Sequence, residues 1–288
     1  MLTGGGSRKR KWRSGEWGIT VPQMDLTFEL VDDLAFAAQR GQGRLESHVV
    51  ATKPTLLGPL IEYVWLRRRL PLPSLTTAQS TPLTDEFRRF ASTTSHAAGS
   101  LNDGAVQDFI HVPASFDGFR STAWVTFMSR MRFAAEAHGF STPQATGLVA
   151  ALGEMASNAF EHSQKPETAI AAFRTETSIF EFVVADAGIG AAASLRLSPE
   201  FQHIHDTGEA LKLCITDGVS RHGHDAKRGH GFQELFSRLA DFNARVRIRS
   251  DDQVVDLRGD CLGPRLAIPA GRAPMRGFLV STQCFPPT

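Results

Sequence analysis

The chain has 288 residues, 42% of them hydrophobic, enough apolar material for one large cored domain or two modest ones. Its 31 Lys and Arg stand against 30 Asp and Glu, and the resulting net charge of +1 argues against a whole-protein electrostatic binder of nucleic acid. Three widely separated cysteines, Cys214, Cys261 and Cys284, form neither a disulfide frame nor a zinc-finger spacing and point to a reducing compartment; no apolar run is long enough to cross a bilayer, so a cytoplasmic protein is expected.

Residues 1–20 are Gly-rich and then basic (Arg8, Lys9, Arg10, Lys11, Arg13). They have little to bury and no apolar segment behind them, so a disordered tail is expected rather than a signal peptide. Further on, Leu26, Phe28 and Leu30 alternate as in a short strand, and Leu34, Ala35 and Ala38 before Gly41 suggest a short helix. Leu57, Leu60, Ile61, Val64 and Trp65 recur at helical spacing, with Arg67, Arg68 and Arg69 suited to that helix's C-terminal end. This stripe reads first as core, with a partner-helix or homodimer seam as the secondary reading. Residues 71–82 are a Pro/Ser/Thr-rich linker, 85–91 a short helix, and 92–102 small and polar. A boundary near residue 105 then divides the chain into a basic tail (1–20), a small α/β or helical N-terminal domain with its linker (21–105) and a main domain (106–288).

The pattern sharpens from Phe109. Residues 109–112 suit an edge strand, and Trp124, Met128, Met131 and Ala135 share a helical face that Gly139 closes. The next helix is expected to open with Thr142 as N-cap and Pro143 at the first position, and to bury Leu148, Leu152, Met155 and Ala159. Strands follow at 168–174 and 179–185. A helix over 207–218 carries Ala210, Leu211, Cys214 and Ile215, and another carries Phe232, Leu235, Phe236, Leu239 and Phe242. Residues 245–249 and 254–257 form a hairpin across Asp251 and Asp252, and 277–285 supply a last strand. This order implies a two-layer α/β sandwich, a mixed sheet with helices on one face.

Three short segments of the main domain carry chemistry. On the helix ending at His162, Glu154 and Asn158 are four residues apart and share a face beside the apolar stripe, with Gly147 and Ala151 leaving room on that side. Asp186-Ala-Gly188-Ile-Gly190 follows a strand, where the glycines permit a tight turn. Gly229-His-Gly231 precedes the Phe232 helix, whose N-terminal N–H groups would suit a phosphate. Lys227 and Arg228 either reach that phosphate or form a solvated basic loop. His203, His205, His222, His224 and His230 cluster between the last two segments, as a metal site in the sharp reading and as surface or nucleotide-facing histidines in the favoured one. Alone, each segment reads as ordinary structure.

In this order the three segments resemble the GHKL, or Bergerat-fold, ATPase superfamily of DNA gyrase B, heat-shock chaperone ATPases, sensor histidine kinases and MutL. The resemblance covers residues 109–285. It implies ATP and Mg²⁺ as cofactors, with Asn158 offering its amide oxygen to the metal and Glu154 acting as general base or orienting the attacking group. It makes Asp186 the acceptor for the adenine amino group, lets Gly188 and Gly190 bring backbone close to the nucleotide, and puts Gly229 and Gly231 at the phosphates, which Lys227 and Arg228 could also meet. The segment from Gly190 to Gly229 becomes the ATP lid. Two positions depart from the family pattern. Phe232 follows Gly231 where Gly-Leu-Gly-Leu is usual, and Gly277-Phe278 stands where a Gly-Thr pair helps hold a water between adenine and the Asp.

Within the superfamily, His96 lacks the acidic neighbour of a phospho-accepting histidine, and a transducer domain of the gyrase kind has no room after the last strand. The look is closest to stand-alone anti-sigma-factor serine kinases. The expectation is a Mg-ATP-binding regulatory protein with a protein partner, transferring the γ-phosphate to a Ser or Thr hydroxyl. The alternative is an ATP-gated interaction module with slow or no turnover, and a third reading is a degenerate domain, suggested by Phe232 and Phe278.

Overall fold

A computed structural model describes residues 24–41, 52–75, 80–92, 100–102, 105–176, 178–216, 236, 239, 243–259 and 267–286. The alternation at Leu26, Phe28 and Leu30 does not produce a strand there, because Thr27 caps a helix: its Oγ1 accepts the Leu30 N–H at 3.3 Å. Helix α1 is Phe28–Gln39, and Gly41 leaves it with φ +62°. Strand β1 is confined to Met24–Asp25 and pairs in parallel with β2, Thr52–Lys53. Helices α2 (Leu57–Leu66) and α3 (Pro82–Ser92) follow, then strands β3 (Ser100–Asn102) and β4 (Ala105–His111).

Helix α4 is Thr122–Ala137 and α5 is Thr142–His162. Ser141, not Thr142, is the N-cap of α5: its backbone N–H donates to the Gln144 side chain at 2.9 Å, and Pro143 takes the second helical position. Strands β5 (Ile170–Glu176) and β6 (Ile179–Asp186) form the expected hairpin. Short α6 (Gly190–Leu195) and α7 (Thr207–Thr216) come next, then β7 (Arg245–Ser250), β8 (Gln253–Arg258), β9 (Ala270–Gly271) and β10 (Phe278–Cys284). The expected helix over 232–242 falls largely outside the described residues. No described helix is long and apolar enough to cross a membrane.

Eight strands form one sheet in the order β3-β4-β5-β6-β10-β7-β8-β9. The chain is α/β as expected, but two details are corrected. Every neighbouring pair in this sheet is antiparallel, so it is not mixed. Hairpin connections at β5–β6 and β7–β8, and β10 inserted between β6 and β7, need no parallel crossover. Helices also cover both faces. On one face Phe173, Phe182, Val184 and Ile248 pack with Phe127, Leu148, Leu152 and Met155 of α4 and α5. On the other, Phe109, Val183, Ala185 and Leu279 pack with Leu34, Leu60, Ile61 and Phe87 of α1, α2 and α3.

The described helices before residue 105, expected in a small separate domain, therefore form a third layer on the same sheet, and β3 joins the sheet itself. The reason is the sheet's composition. Ile170, Ala172, Val183, Ala185 and Leu279 put apolar side chains on the face away from α4 and α5, so that face needs a cover too. Polar bonds fix the cover's register. The Glu181 carboxyl on β6 accepts the N–H groups of Leu57 and Gly58 at 2.6 and 3.0 Å, capping the first turn of α2. Gly58 permits the approach, since a Cβ there would lie 2.2 Å from Ser281 Oγ on β10. Farther along the sheet, Arg247 forks onto Glu62 of α2 at 2.8 and 3.1 Å and reaches Asp32 of α1 at 2.7 Å.

Candidate functional site

Strand β6 runs between β5 and β10 and ends at Asp186. By the two-residue alternation Asp186 shares the face of Phe182 and Val184, toward α5. It is 3% exposed. Its Oδ1 accepts the Gly188 N–H at 2.8 Å, closing a local turn, and the Phe278 N–H also faces the carboxylate.

The turn that follows is braced from three directions. Ile189 N–H donates to Ser163 O at 3.0 Å, just past the end of α5. Ala187 N–H donates to Thr168 Oγ1 at 3.0 Å. At the start of α6, Ala191 N–H reaches Ser250 Oγ at 2.8 Å and Ala192 N–H reaches the Asp251 carboxylate at 3.3 Å. Both motif glycines have structural reasons. Gly190 has φ +78°, the left-handed region, and Gly188 sits where a Cβ would lie 2.1 Å from Ser163 O. Gly277, at φ +84°, is the third, since its Cβ would meet Asp186 O at 2.1 Å.

Glu154 and Asn158 are half-buried on α5. Asn158 is five residues before Ser163, about 7.5 Å along the helix axis, and Glu154 about 13.5 Å. Helix α4 packs on the opposite flank, where a Cβ on Gly153 would lie 3.2 Å from Met128 Cε and Phe160 stacks edge-on with Phe119. The Glu154–Asn158 flank also carries Gly147, which is buried although no described atom lies within 4 Å of a Cβ built there. On this flank Asn158 offers a neutral amide oxygen and Glu154 a carboxylate, donors of the hard-oxygen kind that Mg²⁺ takes.

The structure thus brings Asp186, Gly188 and Gly190 together with the C-terminal end of the helix that bears Asn158 and Glu154. Lys227, Arg228, Gly229, Gly231 and Phe232 lie outside the described residues, as do His222, His224 and His230. His203 and His205 are exposed, and among the described residues no group of three or more His, Cys, Asp or Glu could hold a metal ion. Phe278 stands opposite Asp186 in the β6–β10 register, so the position next to the carboxylate offers an aromatic ring and no hydroxyl. Sequence reasoning gave no part in the site to Trp65, Ser163, Thr168, Ser250 or Asp251, all bonded to this turn. Asp251 read only as a hairpin residue; its φ of +53° and its bond to α6 had no local signature.

Burial pushes the Asp186 carboxyl up from its usual 3.8 to about 7, against the opposing pull of the Gly188 and Phe278 N–H groups. The folded protein then holds this proton more tightly than the unfolded chain does. The Asp186 contribution to stability should be full below about pH 4, fall as pH rises toward about 7, and stay lost above it. The gap bounds the effect at roughly 4 kcal/mol. Urea unfolding at stepped pH should show a shallower decline for Asp186→Asn than for wild type over that window. Asp251, which burial also raises, is present in both proteins and cancels. Parallel curves would refute the assignment.

Compared with protein-family models and with curated proteins, the chain matches none.

Proposed function

We propose that this chain is a Mg-ATP-binding regulatory protein of the histidine kinase-like ATPase type. The observation that supports it most is the buried Asp186 carboxylate, held by a glycine turn that is hydrogen-bonded to the end of the helix carrying Glu154 and Asn158. Unlike Glu62, which is paired with arginines, Asp186 has only backbone N–H groups against its burial cost, and a ligand donor would offset that cost. Here the fitting ligand group is an amino donor such as that of adenine.

In this reading Asp186 accepts the adenine amino hydrogen. Asn158 Oδ1 would hold the metal, which when bound supplies charge neutralisation at the phosphates. Glu154 would take the proton from a Ser or Thr hydroxyl of a protein partner as that oxygen bonds to the γ-phosphorus and the bond to the β–γ bridging oxygen breaks, with ADP leaving. Lys227, Arg228, Gly229 and Gly231 would complete the phosphate end.

Calorimetry with Mg-ATP tests this directly. Wild type should bind one nucleotide per chain, Asp186→Asn should bind at least about tenfold more weakly, and Glu154→Ala should bind like wild type. Radiolabelled ATP with candidate partners should give phosphoprotein with wild type and none with Glu154→Ala. No heat with wild type, or equal binding by Asp186→Asn, would sink the reading. Nucleotide binding without transfer to any partner would favour the gated interaction module.

A further inference from the structure

Trp65 lies outside every segment that carries the nucleotide reading, yet it is bonded to the strand end on which that reading turns. Its indole Nε1–H donates to the Asp186 backbone carbonyl at 2.8 Å, and the side chain is buried at 3% exposure. The Arg68 guanidinium covers the ring at 4.2 Å from its centroid.

Helix α2 is fastened to β6 at both ends. Leu57 and Gly58 donate to Glu181, and Trp65 donates at Asp186. The spans agree. From residue 181 to 186 a strand covers about 17 Å. From residue 57 to 65 a helix covers about 12 Å, and the indole supplies the remaining reach. On the other side of the same carbonyl, Gly277 leaves no space for even a methyl group. The peptide after Asp186 is therefore clamped between β10 and the indole, and the carboxylate carbon, three bonds from that carbonyl carbon, inherits the placement.

We infer that Trp65 is a positioning residue for purine recognition, acting through Asp186 from the opposite layer of the sandwich. The inference rests on the nucleotide reading above. Once ionised, above about pH 7 and so at the pH 8 of the test below, the Asp186 carboxylate prefers the 6-amino donor of adenine to the 6-carbonyl of guanine, which it repels. That discrimination depends on placement within about half an ångström, and losing the indole donor relaxes it.

The test uses the full chain and three ligands, Mg-ATP, Mg-GTP and magnesium tripolyphosphate, titrated calorimetrically at pH 8. Trp65→Phe removes the donor and keeps an aromatic ring. A benzothienylalanine at position 65, whose sulfur replaces the N–H, keeps the bicyclic shape as well. Ile61→Val thins the same helix without touching the bond. Both Trp65 variants should lose about tenfold in ATP affinity while GTP and tripolyphosphate change less than twofold, so the ATP-to-GTP ratio contracts about tenfold. Ile61→Val should leave the ratio alone. An unmoved ratio in the benzothienylalanine protein, or equal loss for all three ligands, overturns the role of Trp65 even if Trp65→Phe fails to fold. A wild-type chain that binds none of the three overturns the nucleotide reading itself, a distinct result.

Discussion

Glu62→Gln should cost the folded state about 3–5 kcal/mol, because it strips the buried counter-charge from two arginines at once. Glu62 and Arg249 are both 0% exposed and Arg247 is 4% exposed. Glu62 takes the Arg247 fork at 2.8 and 3.1 Å and lies 3.2 Å from Arg249. Arg247 keeps Asp32 and Asp256 as partners, but Arg249 keeps only Asp32, at 3.5 Å, among its described carboxylates. The two guanidiniums accordingly differ. Burial acts downward on both; Glu62, Asp256 and Asp32 reverse it at Arg247, while at Arg249 burial prevails. Domain stabilities are on the order of 5–15 kcal/mol, so this single amide is expected to remove a large share of the total.

Urea unfolding of Glu62→Gln against wild type measures the loss. The double variant Glu62→Gln with Arg249→Met should recover part of it, since the stranded charge is gone. A midpoint for Glu62→Gln within error of wild type would show that the cluster is solvated and that α1 and α2 are not seated by it.

This cluster also shows where sequence reading stopped. Arg245-Val-Arg-Ile-Arg249 alternates, and the pattern gave the strand and its hairpin across Asp251 and Asp252 correctly. The same alternation invites the arginines to face water. Instead Arg247 and Arg249 face the N-terminal layer, because Asp32 and Glu62 arrive from about two hundred residues earlier to neutralise them. A residue's own neighbourhood in sequence carries no trace of such a partner. The helix 57–66 was legible from its stripe, but its cap was not, since Glu181 is 124 positions from Leu57. Hence the cover that α1, α2 and α3 make over the sheet has no signal in their own stretch of sequence.

The candidate site divides in the same way. Asp186, Gly188 and Gly190 announce themselves, since an Asp and two glycines after an apolar run encode a turn locally. The end of α5 and the strand register that bring Ser163, Ser250 and Gly277 to that turn are products of tertiary packing. The alternating Phe28 failed for a local reason that could have been weighed, as Thr27 followed by Glu29 is a capping signal.

Gly188→Ala is expected to be the other costly change, about 3 kcal/mol or more. Sequence logic gave Gly188 to the approach of a nucleotide, but the protein's own backbone already requires it. A Cβ would lie 2.1 Å from Ser163 O and 2.7 Å from Ser163 C, atoms that cannot swing aside as a side-chain end can. Ser163 O also accepts the Ile189 N–H, so relieving the clash breaks the bond that ties the turn to α5. Gly271→Ala is the matched control, with nothing described within 4 Å of the added carbon on an exposed strand, and should change stability by less than about 0.5 kcal/mol. Denaturant unfolding compares the two. Hydrogen exchange should then show the Gly188→Ala protein opening first at Ile189 and Ala191, whose N–H groups bond to Ser163 and Ser250. Equal stability for the two alanine variants would mean that the turn does not lie against the end of α5, and Asp186 would lose its link to the helix of Asn158 and Glu154.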